Sequence, residues 1–259
     1  QTLKYKNELK DVNIIWGIKL DNNKRRWEYY VYGWNPLYDN DIYNIVRNTN
    51  NYFSDYKFTK LLKVFFNNDK SIDYRNCNKL FHDFNKLKIV HAISFDISEE
   101  NITDKTINFY TYSTDVDTAA IPMTTYGYCM NLDDGSIDFA SYMYTHKITD
   151  NTFIPFYRNF IKKYNCSFES VFEKNYYDSS LYVALIDKFK TNEIGIYYHC
   201  IDIHNFIHFL NKFKYKREFI EMVKYNKNRF SSFSFEIAIN YKIIDGEIKN
   251  IRTGFYGIF

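Results

Sequence analysis

Ten short runs of alternating apolar and polar residues, arriving two at a time, constrain this chain more than any other feature. Alternation with period two puts every second side chain on one face of a strand. Residues 13–20 (NIIWGIKL) read as a strand, with 26–34 (RWEYYVYGW) as its partner across an Asp-Asn-Asn turn. Residues 88–97 and 106–113 form a second pair, and 124–132 and 136–146 a third, joined by Asp133-Asp134-Gly135. A fourth pair spans 181–190 and 193–200, and a fifth spans 232–243 and 247–259 around Asp245-Gly246. Asp-Gly turns supply the positive φ angles that tight hairpins require.

Helical periodicity fills most of the gaps. Ile42, Ile45, Val46, Thr49 and Phe53 share one face of a helix beginning near Asp39. Leu61, Leu62, Phe65 and Phe66 mark a second helix, and Leu80, Phe81, Phe84 and Leu87 a third. Phe153, Phe156, Tyr157, Phe160 and Tyr164 follow the i, i+3, i+4, i+7 rule. Ile203, Phe206, Ile207, Leu210 and Phe213 do the same, followed by Phe219, Met222 and Val223. The stretch 114–123 reads as loop.

Five sequential hairpins separated mostly by helix pairs predict an α+β protein. Its ten antiparallel strands form a barrel or a strongly curved sheet, because a twisted sheet that wide curls, splits or closes. The helix pairs cover its outer face. Only three prolines and no Gly/Ser-rich linker interrupt the pattern, so residues 1–259 read as a single domain.

The two faces of the sheet differ. One carries Ile14, Trp16 and Ile18; Ile93, Phe95 and Ile97; Tyr126, Tyr128 and Met130; Leu181, Val183 and Leu185; and Phe233, Phe235, Ile237 and Ile239, a surface suited to meeting helices. On the other, first strands present small or polar residues and second strands present tyrosines, among them Tyr30, Tyr110, Tyr142, Tyr197 and Tyr256. Small groups beside aromatic ones leave space. A closed ten-stranded barrel is wide enough to hold a ligand there; an open sheet would leave the same tyrosines wet, as their strand propensity allows.

The 34 basic and 31 acidic residues give a net charge of +3 with no long basic run, which argues against a nucleic-acid partner. Cys77, Cys129, Cys166 and Cys200 are widely separated and predict free thiols in a reducing, cytoplasmic setting. No apolar stretch reaches the ~20 residues of a membrane-spanning helix, and the polar N-terminus is not a signal peptide. Gln1 suggests a truncated start. The oligomeric state is not legible.

Motif chemistry is sparse. His204 and His208 stand four apart on a helix, the spacing of a zinc pair, but Asn205 occupies the place of the general-base glutamate; solvated histidines fit better. No G-x-S-x-G elbow or phosphate loop occurs. The run Thr114-Asp115-Val116-Asp117 and the pair Asp133-Asp134 offer Mg²⁺ ligands, although turn chemistry explains both more simply.

Five hairpins with intervening helix pairs and a tyrosine-rich face resemble the ABBA or PT-barrel family of aromatic prenyltransferases. The resemblance covers most of the chain and lies in architecture, without a shared motif; the absence of a helix pair between hairpins two and three departs from the family. It implies transfer of an isoprenyl group from an isoprenyl diphosphate to an aromatic acceptor, with no cofactor required and Mg²⁺ optional. On that resemblance Lys19, Lys188 and Arg252 hold the diphosphate and must converge. Tyr30, Tyr110, Tyr142, Tyr197 and Tyr256 shield the cation, and Glu28 or Glu236 accepts the acceptor's proton. The rival expectation is a non-catalytic structural or interaction protein, viral or from an AT-rich microbe, of the same architecture.

Overall fold

A computed structural model describes residues 13–21, 24–32, 55–66, 69–87, 90–98, 105–112, 123–147, 153–188, 190–231 and 233–257. The ten strands are β1 (Asn13–Asp21), β2 (Lys24–Tyr32), β3 (Val90–Ser98), β4 (Thr106–Tyr112), β5 (Met123–Asn131), β6 (Ile137–Lys147), β7 (Tyr182–Lys188), β8 (Glu193–Ile201), β9 (Phe235–Ile244) and β10 (Glu247–Gly257). Each pairs with its neighbours in chain order, and β1 closes onto β10 in an antiparallel barrel. The described helices are α1 (Asp55–Phe65), α2 (Tyr74–Leu87), α3 (Phe153–Lys162), α4 (Lys174–Ser179), α5 (Ile203–Lys212), α6 (Arg217–Tyr225) and α7 (Lys227–Phe230). The expected helix beginning near Asp39 and most of the 114–123 loop, with its acidic run, lie outside the described residues.

By contacts the chain divides into two interleaved compact units. The first comprises residues 1–15, 27–115 and 125–140, and the second comprises 16–26, 116–124 and 141–259.

In the first unit α1 and α2 cover the outer faces of β3, β4 and β5. Phe58 stacks on Phe81 with ring centroids 3.9 Å apart, and both meet Phe109 edge-on. Ile93, Phe95, Ile107 and Met130 complete that buried layer. The N-terminus of α2 is capped by Asp73, whose Oδ1 accepts from the backbone N–H groups of Arg75 and Asn76. The turn after β5 is held by Asp134, whose Oδ1 accepts from the Ser136 N–H and hydroxyl, while Gly135 takes φ +74°. Asp133 bonds Lys105 at 3.1 Å. Turn chemistry thus accounts for this acidic pair.

In the second unit α3, α5 and α6 pack on β7–β10. Phe206 of α5 stacks on Phe235 of β9 at 4.1 Å and 6°, with Phe255 of β10 edge-on at 5.1 Å. Asp202 caps α5 by accepting from the His204 and Asn205 N–H groups. Burial draws its carboxyl upward, but these hydrogen bonds together outweigh that and hold it below the ordinary aspartate range. The β9–β10 turn uses Asp245 at φ +51° and Gly246 at φ +80°, as its Asp-Gly pair predicts.

One helix is missed by the sequence pattern and two local expectations fail. Helix α4 carries only six residues, too few for periodicity to declare it, and is buried through Tyr176 and Tyr177. Met222, expected on the core side of α6, is 46% exposed because Ile220 and Val223 take the buried positions. Leu181 precedes β7 and is exposed.

Candidate functional site

Side chains paired across antiparallel strands share a face, so the register assigns the face away from the helices row by row. In the second unit one row runs Gly17–Tyr256–Glu236, and the next runs Lys19–Gly254–Ala238–Tyr197–Ala184. A third runs Asp21–Arg252–Asn240–Gly195–Ile186. Tyr197 and Tyr256 are therefore on the expected inner face, where they stack at 6.0 Å and are buried. Gly17 is required: an added Cβ would lie 2.1 Å from the Tyr256 ring and 2.8 Å from the Phe255 carbonyl oxygen. The space beside this glycine is filled by the chain's own tyrosine.

Tyr142 is on the other face. It pairs with Asp187, and Asp187 points to the helices, where Lys163 and Tyr164 both donate to its carboxylate. Tyr144 pairs with Leu185 of the same helix-covered layer. The β6–β7 register, not alternation counted from the start of the strand, sets the face, and a one-residue offset inverts it.

The register places the three expected diphosphate cations on three strands, β1, β10 and β7. Lys19 stands opposite Gly254 on β10, and Arg252 two residues along that strand stands opposite Asn240. Lys188 lies at the far end of β7, opposite Glu193.

Glu236, one of the two expected proton acceptors, has a specific partner. His199 Nδ1 lies 2.9 Å from Glu236 Oε2, and the two side chains are 28% and 22% exposed. His199 Nε2 is buried and has no hydrogen-bond partner among the described residues. The imidazole is oriented by the carboxylate, and in the neutral ring Nδ1–H donates and Nε2 carries the lone pair. The strand is irregular here: the β8–β9 register shifts between Tyr198 and Ile201, and Cys200 takes φ +60°. A non-glycine residue in that region stores strain of the kind that collects at functional sites. The Cys200 thiol is pushed up by burial first, then by the Glu236 charge, with a Ser234 hydrogen bond opposing. It is a thiol at neutral pH, so a Cys–His nucleophile is not set up.

His204 and His208 form no zinc pair. His204 is exposed, His208 Nδ1 bonds the Tyr176 hydroxyl at 2.9 Å, and among the described residues no three His, Cys, Asp or Glu side chains are grouped to hold a metal.

In the first unit, Glu28 is only 1% exposed and accepts a hydrogen bond from Ser94 Oγ at 3.3 Å. Asn108 Nδ2 donates to the same hydroxyl at 3.3 Å, and Tyr110 OH lies 3.5 Å away. The rows Ala92–Tyr110–Gly127 and Ser94–Asn108–Cys129 confirm that Tyr110 is on the inner face. Tyr30 lies within β2.

The sequence names Glu236 as a proton acceptor, but not its pairing with His199. The available signal was a histidine and a glutamate at inner-face parity on neighbouring strands. The register that sets them opposite each other has no sequence mark.

No family model matches the chain. It is similar to the putative JmjC domain-containing protein L887 of Acanthamoeba polyphaga mimivirus, 27% identical over 266 residues. The match covers 95% of this chain and 42% of that protein, so the chain spans about two fifths of the relative's length. That relative bears the name of a class unrelated to prenyl transfer. The transferase expectation is corrected accordingly, and the cofactor expectation tied to it, none required and Mg²⁺ optional, falls with it. No described helix is long and apolar enough to cross a membrane.

Proposed function

We propose that the second unit binds a small polar ligand at the His199–Glu236 pair and that His199 moves a proton there. The observation carrying this reading is the imidazole held through Nδ1 by a carboxylate while the opposite, buried nitrogen has no hydrogen-bond partner among the described residues. That is the arrangement of a general base: one ring nitrogen fixes the tautomer and orientation, and the other meets the substrate. Glu236 also stabilises the imidazolium that forms when Nε2 takes a proton. The stacked Tyr197 and Tyr256 lie on neighbouring positions of the same face. The fold-level likeness to PT barrels remains a proposal about architecture, supported by the chain-order barrel, and carries no reaction with it.

The relative's name brings a second reading, an iron-dependent oxygenase centre. Such a centre needs two histidines and a carboxylate open to one metal. The described residues do not fit it. Glu236 is bonded to the histidine ring itself, and no second histidine joins them in a metal-holding group among the described residues. The chain-order barrel also differs from the eight-stranded, Greek-key jelly roll of cupins.

A thermal-shift screen with small carboxylic acids, phenols and phosphate esters tests the ligand site, since a ligand that binds only the native state raises the melting temperature. At least one class is expected to stabilise the wild-type chain and to leave His199→Phe unmoved. The reading fails if no class shifts the wild type, or if the variant shifts equally.

A further inference from the structure

The positive charge of this chain is concentrated in one segment around α6. Residues 212–229 hold seven basic residues against two acidic ones, a net +5, whereas the whole chain is +3 and the remainder therefore −2. Average composition conceals this, and the fold turns it into a surface. Ile220 and Val223 of α6 are buried and Phe219 stacks on Phe255 at 5.5 Å, so the opposite side of α6 faces outward.

Within this segment Lys212 is paired with Glu173, and Lys224 with Glu221. Lys214, Lys216, Arg217, Lys227 and Arg229 make no ion pair among the described residues. Lys214 and Lys216 lie in the α5–α6 turn, where Lys214 takes φ +54°, Arg217 opens α6, and Lys227 and Arg229 follow the other end of α6. The nine residues of α6, a length of about 13 Å, run from Arg217 of the first group towards Lys227 of the second. At the C-terminal end of α6 stands Tyr225, 91% exposed, between Lys224 and Lys227 in sequence.

We propose that this surface docks single-stranded nucleic acid, with the five unpaired cations on phosphates and Tyr225 as a stacking platform for a base. Exposed aromatic rings set among basic side chains are how proteins hold single strands without reading sequence. A membrane surface fits less well, because interfacial helices present a continuous apolar face. Here Met222 and Tyr225 are the large apolar side chains exposed on α6. An acidic protein partner would anchor in a desolvated pocket, and a lone exposed ring does not make one. The surface is separate from the His199–Glu236 pair, so either reading stands without the other.

The test is fluorescence anisotropy of the full chain with a labelled 20-nucleotide oligo(U) and oligo(dT). Binding is expected at 50 mM salt and should weaken about a hundredfold by 200 mM, the result of a log–log slope near −0.7 for each of about five neutralised phosphates. Tyr225→Ala should weaken binding about five- to a hundredfold. The triple variant K214A, K216A, R217A should flatten the slope by about 2. No binding at 50 mM salt, unchanged binding by Tyr225→Ala, or equal affinity for polyglutamate or phosphatidylserine vesicles would each overturn the proposal.

Discussion

Phe206→Ala is expected to cost about 3–5 kcal/mol of stability, the range for deleting a fully buried phenylalanine. The ring is 1% exposed, lies flat on Phe235 and meets Phe255 edge-on, so it ties α5 to β9 and β10 at one point. Neighbouring rings are large and cannot collapse into the space without giving up their own contacts, which places the cost toward the upper end. For a chain of this size the melting temperature should fall by about 6–20 °C. Denaturant titration should show a lower midpoint with an unchanged slope if the native surface is otherwise intact. A loss under 1 kcal/mol would mean that α5 is not packed as described.

The second large effect is on acid stability. His91 of β3 is buried, and burial pulls its imidazole down to about 3 from the ordinary value near 6.5. The unfolded chain therefore binds a proton at this position between about pH 6.5 and pH 3, while the folded chain does not. Stability from this group is complete above the unfolded value and is lost as pH falls, by about 1.4 kcal/mol for each unit below 6.5. At pH 5 the loss from this ring is about 2 kcal/mol. Chemical denaturation at several pH values, for the wild type and for His91→Leu, should show a shallower pH dependence in the variant by that amount. Identical profiles would show that the ring is solvated.

The barrel was legible because alternation is a local property. Each of the ten strands falls within a few residues of its alternating run, and the Asp245-Gly246 turn adopts the positive φ angles its residues favour. Helices α1, α2, α3 and α5 follow from apolar residues three and four apart. The failures share a cause, which is that the deciding information is not local. Tyr142 is placed by its pairing with Asp187, a residue 45 positions away, and counting along β6 cannot reveal that partner. Gly17 reads as open space, yet the Tyr256 ring lies over it. His199 and Glu236 are 37 positions apart and meet because the β8–β9 ladder, carried one step past Tyr198–Ile237, sets them opposite each other. The concentration of charge around α6 was visible in the letters. What turned it into a surface was the burial of Ile220 and Val223 on the helix's other side.

The most direct measurement for the account is the nitrogen-15 spectrum of the His199 side chain in the wild type and in Glu236→Gln. In the neutral form of the ring the pairing predicts a proton fixed on Nδ1 and an unprotonated Nε2, and a loss of that preference when the carboxylate is neutralised. A wild-type ring carrying its proton on Nε2, or one indifferent to Glu236→Gln, would contradict the proposal that this pair is built to move a proton.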